Sequence, residues 1–118
     1  MTEEKLQASV ARYLDLTLPA GSVWFHVPNG GSRNKIEAAK LKRHGVKPGV
    51  ADCIIIMDGQ VIAIELKTAK GRLSAGQKIW RDAFQQAGGH WHLARSLDDV
   101  QKILKAHRKA QNENRNTG

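Results

Sequence analysis

Residues 50–67 constrain the fold most, because two apolar runs there flank the pair Asp58-Gly59. An Asp-Gly pair between β-branched runs predicts a hairpin with a two-residue turn, since both turn positions need a positive φ. Met57 would then pair with Gln60. Counting outward from that pair places Asp52 directly opposite Glu65.

The open end of this hairpin carries charged side chains. Side chains alternate along a strand, so Lys67 points the same way as Glu65, and directly opposed residues lie about 4.5–5.5 Å apart at Cβ. Elsewhere both faces of the ribbon are apolar, which predicts a sheet covered on both sides. One face would carry Ile54, Ile56, Val61 and Ala63, and the other Ile55, Met57, Ile62, Ile64 and Leu66.

This arrangement of two carboxylates and an ammonium has two interpretations. Facing carboxylates repel each other unless a proton or a cation lies between them. A divalent metal would remove the repulsion, and Mg²⁺ prefers one or two carboxylates together with waters and phosphate oxygens. The second interpretation is a local salt bridge between Lys67 and a carboxylate, and spacing alone leaves both open.

Composition narrows the class of protein. The 118 residues, 41% hydrophobic and 25% charged, fit one globular domain, and the net charge of +8 favours a polyanionic partner, nucleic acid first. No apolar run approaches the roughly 20 residues of a membrane span. We see no signal peptide, and the lone cysteine, Cys53, lies in a predicted core strand, so we expect a cytoplasmic protein without a membrane partner.

The remaining patterns predict an α/β fold with the order α-β-α-β-β-α-β-α. The basic helix near residues 34–44 is expected to pack through Ile36 and Ala39, and residues 60–95 should form a right-handed parallel strand–helix–strand crossover. This order predicts a central mixed four-stranded sheet with helices on both faces. We expect one domain over residues 1–110, followed by a polar, disordered tail over residues 111–118.

Several polar residues outside the hairpin have two interpretations each. Gln77 fits a capping box with Ser74, or it could contact a metal-bound water or substrate. Glu4 suits the positive end of its helix, or it could be a third acidic group aimed at the hairpin. The pair His90-x-His92 could chelate a metal, although without a third ligand nearby a structural role is favoured.

The order of motifs resembles a nuclease family. Asp52, twelve residues and then Glu65-Leu66-Lys67 resemble the D-x(n)-E-x-K signature of the PD-(D/E)XK superfamily. Gly49-Val50-Ala51-Asp52, Leu73-Ser74-x-x-Gln77 and Ala87-Gly88-Gly89 are similar to the VRR-NUC domain, with Ala51 where the family usually has Pro. Glu4-x-x-Gln7 and the segment His26-Val27-Pro28-Asn29-Gly30-Gly31 resemble its small stand-alone phage and prophage members.

The resemblance implies a restriction-endonuclease-like fold and a hydrolase that cuts DNA with Mg²⁺ or Mn²⁺. It further implies a structure-specific endonuclease for four-way junctions or branched DNA, working as a possible homodimer in a bacterial or phage-infected cell. A nickase or exonuclease on different DNA forms is a competing hypothesis. The chain could instead be an inactive nuclease fold that only binds nucleic acid, or a basic structural protein.

The resemblance also implies a role for each site residue. Asp52 and Glu65 would hold the metal, with the Leu66 carbonyl as a further ligand, while Lys67 would orient or deprotonate the attacking water. Glu4, favoured over Glu3 by the E-x-x-Q spacing, would complete a second metal site or position water. Gln77 would lie beside Lys67. Residues expected to contact DNA are His26, Asn29, Arg33, Lys42 and Lys70.

Overall fold

The chain folds into eight elements in the predicted order. The computed structural model describes residues 1–28 and 34–117, with side chains up to residue 112. The elements are α1 (Glu3–Thr17), β1 (Val23–His26), α2 (Lys35–Arg43), β2 (Cys53–Met57), β3 (Gln60–Leu66), α3 (Ala75–Gln86), β4 (His90–Ala94) and α4 (Leu97–Thr117).

The strands form one mixed sheet in the order β1-β2-β3-β4. β1 and β2 are antiparallel, as are β2 and β3, whereas β4 runs parallel to β3 after the chain crosses through α3. The predicted four-stranded α/β fold is therefore confirmed. None of the helices in the described ranges combines the length and apolarity needed to cross a membrane.

The turn of the central hairpin sets the register of the sheet. Asp58 and Gly59 have φ values of 52° and 75°, both positive, as a two-residue hairpin turn with matching twist requires. Met57 pairs with Gln60 and Cys53 pairs with Ile64, which confirms the predicted register. Asp52 directly precedes β2, one step beyond the Cys53–Ile64 pair.

Helices cover both faces of the sheet. On one face, apolar residues of α1 and α4, such as Leu6 and Leu104, pack against Ile55, Ile62 and Ile64. On the other face, Trp80 and Phe84 of α3 stack with ring centroids 4.7 Å apart and pack over Ile54 and Ala63. The sheet therefore lies between two unequal layers of helix.

The second face is less covered than the apolar pattern predicts. Ile56 and Val61, next to the turn, are 40% and 37% exposed, and Val23 and Phe25 on β1 are 57% and 47% exposed. The expectation that the hairpin is covered on both faces is wrong at this end. The reason is that α3 packs over Ile54 and Ala63, nearer the open end, and leaves the residues by the turn in solvent.

Two helices differ from their sequence-based descriptions. In α2 no residue is buried, Ala39 is exposed and Ile36 is 83% exposed, so the expectation that these two residues pack inward is wrong. The pattern predicts an amphipathic helix, but among the described residues no strand or other helix makes extensive contact with α2. The last helix, α4, continues to Thr117, through the segment for which composition predicts a disordered tail.

Candidate active site

Asp52 is held by contacts to both neighbouring strands. The Val27 N–H donates to the Asp52 carbonyl at 2.9 Å, and His26 Nδ1 lies 2.8 Å from the same oxygen. On the other side, the Leu66 N–H donates to Asp52 Oδ2 at 2.7 Å. The main chain of Asp52 is thus tied to the β1 segment, while one carboxylate oxygen is tied to β3.

Glu65 is the one buried charged residue in the described part of the chain, with 3% of its surface exposed. Its Oε2 accepts a hydrogen bond from Gln77 Nε2 at 3.0 Å and lies 3.5 Å from Lys67 Nζ. The Lys67 side chain is itself only 12% exposed. The salt bridge that spacing left open is therefore present, but it forms beside a second carboxylate, that of Asp52.

The electrostatics of the patch follow from this burial. Burial raises the pKa of Glu65 to about 7, and the nearby Asp52 carboxylate contributes to this rise, whereas Lys67 lowers the pKa. One ammonium does not compensate two neighbouring carboxylates, one of which is buried. The patch therefore favours a proton on Glu65 near neutral pH, or a cation between the two acids.

Gln77 combines the two roles that the sequence offered for it. Its Oε1 accepts from the Ser74 N–H at 2.9 Å and its own N–H donates to Ser74 Oγ at 3.1 Å, which completes the capping box at the start of α3. Its remaining amide nitrogen donates to Glu65. The helix cap consequently fixes the donor that holds Glu65 Oε2, the oxygen that also faces Lys67.

A cavity of about 250 Å³ opens at the Asp52 end of this patch. Its walls come from the hairpin, the end of β1 and the acidic first turn of α1. Both Glu3 and Glu4 line it, so the structure places two α1 carboxylates where spacing favoured Glu4 alone. The lining residues are Glu3, Glu4, Gln7, His26, Asp52 and Leu66.

Glu3 and Gln7 were not among the expected site residues. The Gln7 amide nitrogen lies 3.6 Å from Cys53 Sγ, so it joins α1 to the first residue of β2. Burial raises the pKa of the Cys53 thiol to about 11, which keeps the thiol neutral. The E-x-x-Q spacing was the available signal for Gln7, whereas nothing in the sequence distinguishes Glu3 from a helix-dipole residue.

Of the described residues expected to contact DNA, His26 lines this cavity, whereas Lys42 and Lys70 line two others. Lys42 lines a cavity of about 450 Å³ with Pro28 and Lys47, and Lys70 lines another of about 390 Å³ with Thr68. Both lysines are exposed. Asn29 and Arg33, also expected to contact DNA, lie outside the described residues.

The histidine pair of β4 has a structural environment. His92 Nε2 lies 2.8 Å from His107 Nε2 on α4, and His107 Nδ1 lies 2.9 Å from Gln60 Oε1. Burial lowers the pKa of His107 to about 4, and that of His92 is lowered too. Although His107 supplies a third imidazole, no three His, Cys, Asp or Glu side chains of the described residues form a metal-binding group.

Comparison with known proteins identifies the family. The VRR-NUC domain family matches residues 1–98. The chain belongs to the VRR-NUC family. A solved structure described as a VRR_NUC domain protein is similar to this chain with a TM-score of 0.76 and 26% sequence identity, and the match covers 92% of this chain and 89% of the other. None of the curated proteins searched matches the chain.

Family membership confirms the resemblance carried by the sequence motifs. A VRR-NUC domain is a nuclease-type domain that acts on DNA, which agrees with the basic charge of the chain. The α/β fold with its four-stranded mixed sheet matches that of the solved VRR-NUC relative. The buried Glu65 and its neighbours therefore belong to a nuclease-type domain. They occupy the positions of the sequence motif on which the resemblance rests.

Proposed function

We propose that this VRR-NUC protein is a metal-dependent DNA endonuclease whose active site contains Asp52, Glu65 and Lys67. The observation that carries the proposal is the buried Glu65 carboxylate, one oxygen of which faces both Lys67 and Gln77. Burying an acid next to a second carboxylate, with one ammonium for the two, destabilises a fold, and such groups cluster at functional sites. A role in chemistry explains why an apolar hairpin carries this patch.

The donor set fits Mg²⁺ or Mn²⁺. Its donors are hard oxygens, those of Asp52 and Glu65 with the Leu66 carbonyl as a further ligand, and Mg²⁺ needs only one or two carboxylates because it keeps several waters. One Asp52 oxygen already accepts from the Leu66 N–H, which orients the carboxylate. When bound, such an ion polarises the scissile phosphate and lowers the pKa of a coordinated water.

Side chains of the protein would supply the remaining roles in the cleavage reaction. Lys67, beside Glu65, would orient or deprotonate the attacking water, a role that suits lysine because its pKa responds to burial. Gln77 would keep Glu65 aimed at the site through its helix-capping contacts. Glu4, on the cavity wall, would position water or complete a second metal site, and His26 would lie near the phosphate.

We further propose that the substrate is branched DNA, such as a four-way junction, cut by a homodimer. The support is the resemblance of Glu4-x-x-Gln7 and of the segment from His26 to the small stand-alone members of the family. Contacts to phosphate do not read sequence. Lys42 and Lys70, together with Asn29 and Arg33, would hold the DNA backbone and leave selection to its shape.

The test is a cleavage assay on labelled four-way junctions, flaps, nicked duplexes and single strands with Mg²⁺, Mn²⁺ or EDTA. The wild type should cut branched DNA only with metal, and Glu65→Gln should not cut it. Glu37→Gln, a change at an exposed residue of α2, is the matched control and should keep activity.

Three results would contradict the proposal in different ways. Binding without metal-dependent cutting would make the protein a nucleic-acid-binding module. Cutting retained by Glu65→Gln would place the activity elsewhere. Preference for nicked or single-stranded DNA would replace the branched-DNA substrate by a nickase or exonuclease activity.

A further inference from the structure

The loop that follows β3 contacts the Arg95 side chain, which comes from the end of β4. Arg95, the residue after β4, lies with its Nη1 2.6 Å from the Thr68 carbonyl oxygen, 2.7 Å from that of Gly71 and 3.3 Å from that of Ala69. These three carbonyls belong to residues 68–71, which directly follow Lys67. A single guanidinium nitrogen therefore bridges three carbonyls of the loop.

The same loop packs against the Lys67 side chain. A Cβ added at Gly71 would lie 3.3 Å from Lys67 Cδ and 3.4 Å from Lys67 Cβ, so the loop backbone runs directly along the lysine stem. The Gly71 N–H donates to the Thr68 carbonyl at 3.1 Å, which closes the turn. The Lys67 N–H donates to the Ala94 carbonyl at 3.0 Å, so β4 also holds the main chain of Lys67.

The base of the Arg95 side chain is fixed as well. The main-chain N–H of Arg95 donates to Asp99 Oδ2 at 2.8 Å, and the Asp99 N–H donates to Ser96 Oγ at 3.1 Å, at the start of α4. Although Arg95 is exposed, its main chain is joined to a helix start and its side chain to a loop. The start of α4 is thereby connected to the loop that borders Lys67.

We infer that Arg95 is a positioning residue for the cleavage reaction: it holds residues 68–71 against the Lys67 stem and so keeps Lys67 Nζ beside Glu65. The inference rests on the proposed function, since it assigns Arg95 to the reaction for which Lys67 is proposed. We do not expect lysine to replace Arg95, because its ammonium ends nearer the main chain than the Nη1 atom that contacts the three loop carbonyls.

The test compares Arg95→Lys with the wild type, and uses Arg12→Lys, an equally conservative change at an exposed α1 residue, as the control. Arg95→Lys should lower the single-turnover cleavage rate by about ten-fold or more, because small misplacements of reacting groups can cost ~10²-fold. Its Kd for the same DNA in EDTA should stay within about two-fold, with an unchanged salt dependence, because the positive charge remains. Hydrogen exchange at the Gly71 amide should become faster.

Each different outcome assigns a different role. A weaker Kd with a shallower salt slope would make Arg95 a phosphate contact and overturn the positioning role, as would an unchanged cleavage rate. If Arg95→Lys fails to fold, Arg95→Gln is assayed instead, below its melting temperature, by its single-turnover cleavage rate at saturating protein. Lack of cleavage by the wild type would overturn the proposed function itself, whereas full activity of the variant beside an active wild type overturns only the role of Arg95.

Discussion

Glu65→Gln should change how the stability of the metal-free protein depends on pH. The pKa of Glu65 is about 7 in the folded chain against an ordinary value of 4.5, because the carboxyl is buried beside Asp52. The folded state therefore binds more protons than the unfolded state between these values. The resulting stabilisation is fully present below pH 4.5 and is lost as the pH rises through about 7. Glutamine does not titrate, so the variant lacks this loss.

The size of the effect follows from the two pKa values. Between about pH 5 and about pH 8 the wild type should lose roughly 2–3 kcal/mol of unfolding free energy relative to the variant. For a domain of this length, that corresponds to a shift in Tm on the order of 10 °C. Glutamine can still accept the hydrogen bond from Gln77, so the packing around the site is largely retained.

The assay is thermal unfolding of both proteins in EDTA at the two pH values. The Tm of Glu65→Gln minus that of the wild type should be larger at the higher pH. Comparing two proteins removes the shared titration of His107 and similar groups from the result. Glu37→Gln should show the same difference from the wild type at both pH values. If Glu65→Gln also shows an unchanged difference, Glu65 titrates normally, and the effect of burial and of Asp52 on its carboxyl is refuted.

Three further predictions follow from separate contacts. Millimolar Mg²⁺ should raise the Tm of the wild type but not of Glu65→Gln, and no shift would count against a metal site at the hairpin. Because burial lowers the pKa of His107 to about 4, stability should fall as the pH drops from 6.5 through that value, and His107→Gln should flatten this dependence in acid melting curves. Gly49→Ala should lower the unfolding free energy by about 2 kcal/mol or more in urea titrations, since φ is +76° and the new Cβ would collide with the Gly76 carbonyl oxygen. An unchanged urea midpoint would contradict that packing.

Much of the fold is predictable from local patterns. Asp58-Gly59 sets the turn, the turn sets the register, and the register brings Asp52 to Glu65 without any knowledge of the remaining chain. The element order follows from periodicity and helix caps in the same way. Gln77 illustrates the limit, because its capping role is local, whereas its contact with Glu65 needs α3 to pack on the sheet.

Amphipathic patterns predicted burial wrongly where the packing of other elements decides whether a side chain is buried. Ile36 is an apolar residue at a helical spacing, yet α2 leaves it in solvent because none of the described elements packs over it. Ile56 and Val61 are exposed because α3 covers only the far part of their face. A pattern states which side chains share a face, but it does not state whether another element reaches that face.

The sequence by itself thus determined the α/β order, the hairpin register and the meeting of Asp52, Glu65 and Lys67 at its open end. Only the tertiary structure decided that Glu65 is buried, that Glu3 shares the cavity with Glu4, and that Arg95 holds the loop beside Lys67. The physical reason is how far apart in the sequence the interacting residues lie. A turn is decided by adjacent residues, whereas burial and contacts between distant residues depend on how all the elements pack together.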